Sequence, residues 1–151
     1  MALVALSTCD ALEVLSQSYS EIRVPKAVYD EVIVRGKSQS SFLESFLEGR
    51  VVVVDLSHWV LTAGGLGQGE LEAMALYKQL SADLLLIDDR RARAIAEHNQ
   101  IVCIGALGFL LLAKHQGAIQ KITPFVEKLR GSSLHYGEDL LEKVLSLAGE
   151  Q

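Results

Sequence analysis

The chain has 151 residues, half of them hydrophobic, and a net charge of −5. That length suits a single domain, residues 1–151, with a sizeable core; disorder is excluded, and so is non-specific nucleic-acid binding through overall charge. Only two cysteines occur, Cys9 and Cys103, which excludes a disulfide framework or a zinc motif and fits a reducing compartment.

The predicted elements alternate between short β-branched runs and helical stretches. "STCDALEVLSQ" predicts a first helix, capped by Ser7 or Thr8. "EIRV" is a short strand, and Pro25 opens the helix "PKAVYDEVIV". "SQSSFLESFLEG" is an amphipathic helix closed by Gly49. "VVVV", Val51 to Val54, has no alternation and predicts a strand buried on both faces. A glycine-rich loop, "GGLGQG", leads to the helix "GELEAMALYKQL". "DLLLI" is the third strand, "RRARAIAEHN" a helix closed near Asn99, and "IVCI" the fourth strand. Helices over "GALGFLLLAKHQG", "TPFVEKLRG" and "GEDLLEKVLSLAG" complete the chain. Strands alternating with helices imply an α/β fold, a three-layer α/β/α sandwich around a parallel central sheet. The apolar stretch around Ile101 to Ala113 is too short to span a bilayer, and no secretion signal opens the chain. A soluble, cytoplasmic protein without membrane partners is the expectation.

In parallel sheets, sites form at the carboxyl ends of strands. Asp88 and Asp89 stand at such an end, directly after "DLLLI". Two further acids fall on apolar helix faces. Glu31 shares a stripe with Ala27, Val28 and Val34, and Glu70 heads the stripe Ala73, Met74, Tyr77, with Glu72 off it. A charge on a buried face is costly unless paired or bound to metal, so Glu31, Glu70 and the Asp88–Asp89 pair are candidates for one pocket. Oxygen-only ligands suit Mg2+ or Mn2+, which orient water and stabilise a phosphate in flight. Each acid also has a plainer role open to it: Glu70 as a first-turn acid favoured by the helix dipole, one of the aspartates as an N-cap, Glu31 as the partner of an arginine.

The segments "VPKAVYDEVIVRG", "LGQGELEAMALYKQLSADLLLIDDRRARAIA" and "VCIGALGFLLLAKHQGAI", with the tail "LLEKVLSLAGE", together resemble PIN-domain proteins. The branch they resemble comprises predicted nucleic-acid-binding proteins similar to the toxin ribonucleases of toxin–antitoxin pairs. The resemblance covers nearly the whole chain. It implies a parallel sheet between helices, an acidic pocket for Mg2+ or Mn2+ and single-strand ribonuclease chemistry. It places the family's second acid on Glu31, its third on Glu70, and its fourth on Asp88 or Asp89, with Asp89 favoured as the site acid. Metal ligation is thus expected from Glu31, Glu70 and Asp89.

The chain also departs from the family. The family opens with an apolar strand ending in an acid, whereas "MALVALSTCDALEVL" matches the part that follows it. The first strand and its aspartate are expected to be missing. Asp10, read as interior to the first helix, does not replace that acid. Ala106 stands where relatives often carry a hydroxyl. Either the start site has been assigned too late, or the chain binds without cutting. Weak metal binding and poor cleavage follow on both accounts, and an endoribonuclease only if the first acid is restored. Exposed strand edges predict a homodimer or larger assembly, and an antitoxin protein is a further expected partner.

The remaining features divide by chemistry. Arg90, Arg91 and Arg93 are candidates to contact the RNA backbone, to neutralise the acids beside them, or both. Lys26, Arg35 and Lys37 add to a basic rim or scatter over the surface. The glycine loop lacks the Lys-Ser/Thr ending of a P-loop and does not follow a strand directly, so a turn before a helix is its expected role. Trp59 is a candidate to stack on a base or to cover a core edge. A phospho-acceptor domain also pairs acids on a parallel sheet, but after the first strand, not a late one. The competing readings are therefore a ribonuclease of weakened or lost activity and a non-catalytic binding module.

Overall fold

The computed structural model describes residues 2–35, 37–58 and 65–151. Trp59, Gly64 and the side chains of Arg35 and Lys37 lie outside the described residues. The elements are α1 (Ala2–Thr8), α2 (Leu12–Ser18), β1 (Val24–Pro25), α3 (Lys26–Arg35), α4 (Ser40–Leu47), β2 (Val51–Val52), α5 (Gln68–Leu80), β3 (Leu85–Leu86), α6 (Arg90–His98), β4 (Cys103–Ile104), α7 (Ala106–His115), α8 (Thr123–Arg130) and α9 (Glu138–Leu147). The α/β class with parallel strands is as the alternation predicts, and helix predominates. The strands are short, and among the described residues they form two separate parallel pairs. In one, Val24 stands opposite Val51; in the other, Leu85 stands opposite Cys103.

The helix predicted over Ser7 to Gln17 is two helices. Asp10 adopts a left-handed φ of 61°. Its N–H reaches Ser7 O at 3.1 Å, and the Ala11 N–H reaches Leu6 O at 2.7 Å, the paired bonds of a Schellman stop. Aspartate tolerates that conformation better than most residues, so a break without glycine is possible here. Asp10 is therefore not inside a helix; its carboxylate pairs with Lys128 of α8 at 2.5 Å.

The strand predicted over Val51 to Val54 pairs only at Val51 and Val52, both half-buried, and Val53 exposes 81% of its surface. Among the described strands, β2 joins only β1, so it is an edge and not a two-sided core strand.

Among the described residues, three clusters form the core. The largest gathers α1, α2, α7, α8 and α9 around Leu6, Phe109 and Leu110. A second packs α1, β1, α3 and α4 through Val24, Val32, Leu43 and Leu47. A third places α5 and α6 against β3 and β4 through Met74, Ala92, Ala96 and Ile101. Fully burying a side chain such as Leu or Phe contributes about 1.5–3 kcal/mol. No helix among the described residues is long and apolar enough to cross a membrane.

Candidate acidic site at two helix N-termini

The first acids meet at the start of α5. Its N-cap is Gly67, in an extended conformation, and Glu70 lies in the first turn. The Glu70 side chain folds back over the cap, with Oε2 2.6 Å from where a Gly67 Cβ would stand. That is the posture of a first-turn acid facing the helix dipole. Gly69 is buried, and a Cβ there would lie 3.0 Å from Glu31 Oε2 and 3.3 Å from Val28 Cγ2. The missing side chain lets α3 and α5 approach closely. It also puts the Glu31 carboxylate against the same turn that carries Glu70.

The inward face of α3 is turned from the predicted stripe: Val28 packs against the core as expected, but the other positions differ. Val32 is buried at 2%, whereas Val34, placed on the same stripe as Glu31, is 66% exposed. Glu31 is half-buried at the shoulder of the packed face. On α5 the buried acid is Glu72, which the helical stripe had excluded. Its Oε2 accepts from Gln68 Nε2 at 2.7 Å and its Oε1 from Ala27 N at 3.3 Å. Glu72 thus ties α5 to the first turn of α3, satisfying an amide that the helix leaves open.

The other two acids close β3. Asp89 is the N-cap of α6, its Oδ1 accepting from Ala92 N at 2.7 Å. Asp88 turns the opposite way, toward α7. Its Oδ1 accepts from Ala106 N at 2.8 Å and its Oδ2 from the Tyr136 hydroxyl at 3.0 Å. Burial first, then the Asp88 charge and hydrogen bond, hold the Tyr136 phenol well above its usual range, so it stays a donor at neutral pH. Asp88 and Tyr136 are 48 residues apart in the chain, and no local signal announces their contact.

Gly105, buried at the N-cap of α7, makes room for this arrangement. A Cβ there would stand 2.7 Å from Asp88 Oδ1 and 3.7 Å from Ile87 O. Gly105→Ala is expected to displace the Asp88 carboxylate from Ala106 N and to lower stability by about 1–3 kcal/mol, the usual range for overpacking. The urea midpoint checks this: a midpoint unchanged from the parent would show that the carboxylate has somewhere else to go.

The arginines of α6 divide. Arg90 and Arg91 are exposed and Arg93 is half-buried. The Arg91 guanidinium covers Gly65, whose Cβ would lie 2.6 Å from Nη2. The start of α6 therefore rests against the segment leading into α5. Arg93 Nη1 lies 3.5 Å from the Gly105 Cβ position, on the flank of Asp88. Lys26 pairs with Asp30 on its own helix. The thiols are not candidates for chemistry. Burial above all pushes Cys9 up to about 12, and burial, then the charge of Glu97, raises Cys103.

The acids are thus held at two neighbouring helix N-termini, Glu31 and Glu70 at α5, Asp88 and Asp89 between β3 and α6. Their donors are all carboxylate oxygens, which fits a hard dication in kind. Among the described residues, however, no three His, Cys, Asp or Glu side chains stand close enough together to hold a metal ion. Both Asp88 oxygens face protein donors instead.

A family model described as a PIN domain matches residues 1–150. The chain belongs to the PIN-domain family. No curated protein and no solved structure matches it. PIN domains have a nuclease-type fold and in general use divalent metal ions. In this PIN domain, Glu72 and Tyr136 are the polar contributors that sequence periodicity missed. Both act on backbone and side-chain partners that become neighbours only on folding.

Proposed function

We propose that this PIN domain is an Mg2+- or Mn2+-dependent single-strand ribonuclease of the toxin type, with slow cleavage. The observation that carries the reading is the placement of the Glu31 carboxylate against the turn of α5 that bears Glu70, in a chain whose family match spans residues 1–150. Glu31, Glu70 and Asp89 are the acids that would hold the ion, and to do so they must draw closer together than they stand in this structure; Asp89 caps α6 through Oδ1 and lies exposed. When bound, such an ion activates water and offsets charge on the phosphate. Arg90 and Arg91, on the exposed face of α6, bind the RNA backbone, and Arg93 offsets the charge of Asp88. An antitoxin protein that covers the acidic rim and a second copy of the chain complete the proposed partners.

The test is cleavage of a labelled single-stranded RNA with Mn2+. Slow, Mn2+-dependent cleavage is expected, and Glu70→Ala or Glu31→Gln should reduce it roughly a hundredfold, about 3 kcal/mol of transition-state stabilisation. Cleavage that persists in both variants would count against the assignment. One observation favours a second reading, a non-catalytic RNA- or protein-binding module: both Asp88 oxygens are engaged by Ala106 and Tyr136. RNA binding with no cleavage in any metal would support that reading instead.

A further inference from the structure

Both oxygens of Asp88 are held by groups from the C-terminal part of the chain. Oδ1 accepts from Ala106 N at 2.8 Å, at the start of α7, and Oδ2 from the Tyr136 hydroxyl at 3.0 Å. One residue earlier, Ile87 N donates to Ile104 O at 2.8 Å, which fixes the end of β3 to β4. Tyr136 is itself firmly placed. It lies in the segment 131–137 between α8 and α9, and Arg130 ties the two ends of that segment by gripping Glu138 through Nη2 at 2.5 Å and Nε at 3.1 Å. Leu134 of the same segment packs against two of the core clusters, and the Tyr136 ring packs against the largest.

Glu31 and Glu70 belong to other elements, on α3 and in the first turn of α5. Among the described residues, no three acids stand close enough to share an ion, so an ion requires a second arrangement. Asp88 and Asp89 are joined by one peptide. Asp89 swings toward Glu70 only if that peptide turns, and the turn draws Asp88 away from the tyrosine. The bond between Tyr136 and Asp88 therefore belongs to the open arrangement alone. An interaction made in one state only favours that state by its full worth, and it weakens by the same factor any ligand that needs the other state.

We infer that Tyr136 is a latch on the acidic rim: its hydrogen bond to Asp88 holds the rim in the open, metal-free arrangement, and a divalent cation binds only as that bond breaks. The latch and the cation are mutually exclusive, so the segment between α8 and α9 sets the metal affinity of acids that it does not itself touch, apart from Asp88. Tyr136 acts through Asp88 and is a positioning residue, not a ligand. The inference rests on the rim being a dication site, as proposed above, but not on RNA being the substrate.

The test is calorimetric titration of the full chain with Mn2+ alone. Tyr136→Phe is expected to bind Mn2+ about tenfold more tightly than the parent, although its metal-free Tm is lower. A tyrosine with only a structural role behaves otherwise: its loss lowers Tm and leaves the affinity unchanged or weaker. Glu150→Ala is the control, because it loosens the C-terminal helices without touching Asp88, and it should keep the parent's affinity. A second readout needs no variant that must fold: Mn2+ added to the parent should shift the near-ultraviolet absorbance of a tyrosine as the latch opens. Equal or weaker affinity in Tyr136→Phe, a parent that binds Mn2+ with no tyrosine shift, or no Mn2+ binding by either chain overturns the inference. Tighter Mn2+ binding in Tyr136→Phe together with no RNA cleavage by any variant upholds it and sinks the ribonuclease reading alone.

Discussion

Asp88→Ala lowers stability by about 2–4 kcal/mol, measured as the urea midpoint at neutral pH, more than removal of any other acid at this rim. The magnitude follows from what is left behind. Hydrogen bonds to a charged group contribute about 1.5–3 kcal/mol each, and a buried donor left without a partner costs about 1–3 kcal/mol. The substitution strands the first amide of α7 and the Tyr136 hydroxyl together. Asp88→Asn should cost about half as much, because an amide oxygen still accepts from Ala106 and the tyrosine hydroxyl can turn to accept from the amide nitrogen. Tyr136→Phe alone should cost about 1–2 kcal/mol, and the double variant should fall short of the sum, since both changes remove one bond. A carboxylate kept only for binding a cation behaves in the opposite way. Its removal relieves repulsion from Asp89 and leaves the metal-free chain as stable as before or more so. A stability gain in Asp88→Ala would therefore sink the anchoring role and favour ligation.

The outline of the fold was legible because helix periodicity and strand alternation depend on near neighbours in the chain. The Asp89 cap, Gly67 before α5 and Asn99 after α6 stand where local rules put helix ends. What was not legible depends on non-local packing. In "AVYDEVIV" several apolar residues are adjacent, so more than one face of α3 is a candidate to point inward. Contact with α4 and α5 selects the face of Val32 and leaves Val34 in solvent. Glu72 looked peripheral by offset alone, yet α5 is covered on more than one side, and the Ala27 amide supplies a partner that makes burial tolerable. Helix breaks were hidden for a different reason. Asp10, Ser81 and Gln100 take the left-handed positions that a sequence reading expects glycine to fill. At the candidate site, sequence marked Glu31, Glu70, Asp88 and Asp89 as acids of interest. Only folding shows that Asp88 faces α7 while Asp89 faces α6, because adjacent residues at a strand end point to opposite sides.

Glu150→Gln is expected to remove most of the acid sensitivity of the C-terminal helices. Glu150 lies near the end of the chain, but its side chain exposes only 7% of its area. Its Oε1 accepts from Thr123 N at 3.0 Å and from the Thr123 hydroxyl at 2.7 Å, and its Oε2 from Ile122 N at 2.9 Å and Lys114 Nζ at 2.8 Å. One carboxylate thus caps α8 and binds it to α7 and to the chain that follows α9. Burial alone would raise its pKa; the bonds from Ile122, Lys114 and Thr123 outweigh it and hold the group down at about 2, against an ordinary 4.5. A depressed folded-state value means that the unfolded chain takes up the proton first. The stabilisation is therefore complete above about pH 4.5 and is lost as pH falls toward about 2. Urea midpoints measured across that window should fall steeply in the parent chain and much less in Glu150→Gln. Glu150→Ala should also lower neutral-pH stability by about 1–3 kcal/mol, because the α8 amides and the Lys114 ammonium lose their common acceptor. Parallel pH profiles for the parent and Glu150→Gln would show that the carboxylate does not carry the proton linkage, and the acid sensitivity of this domain would then have to be traced to other carboxylates.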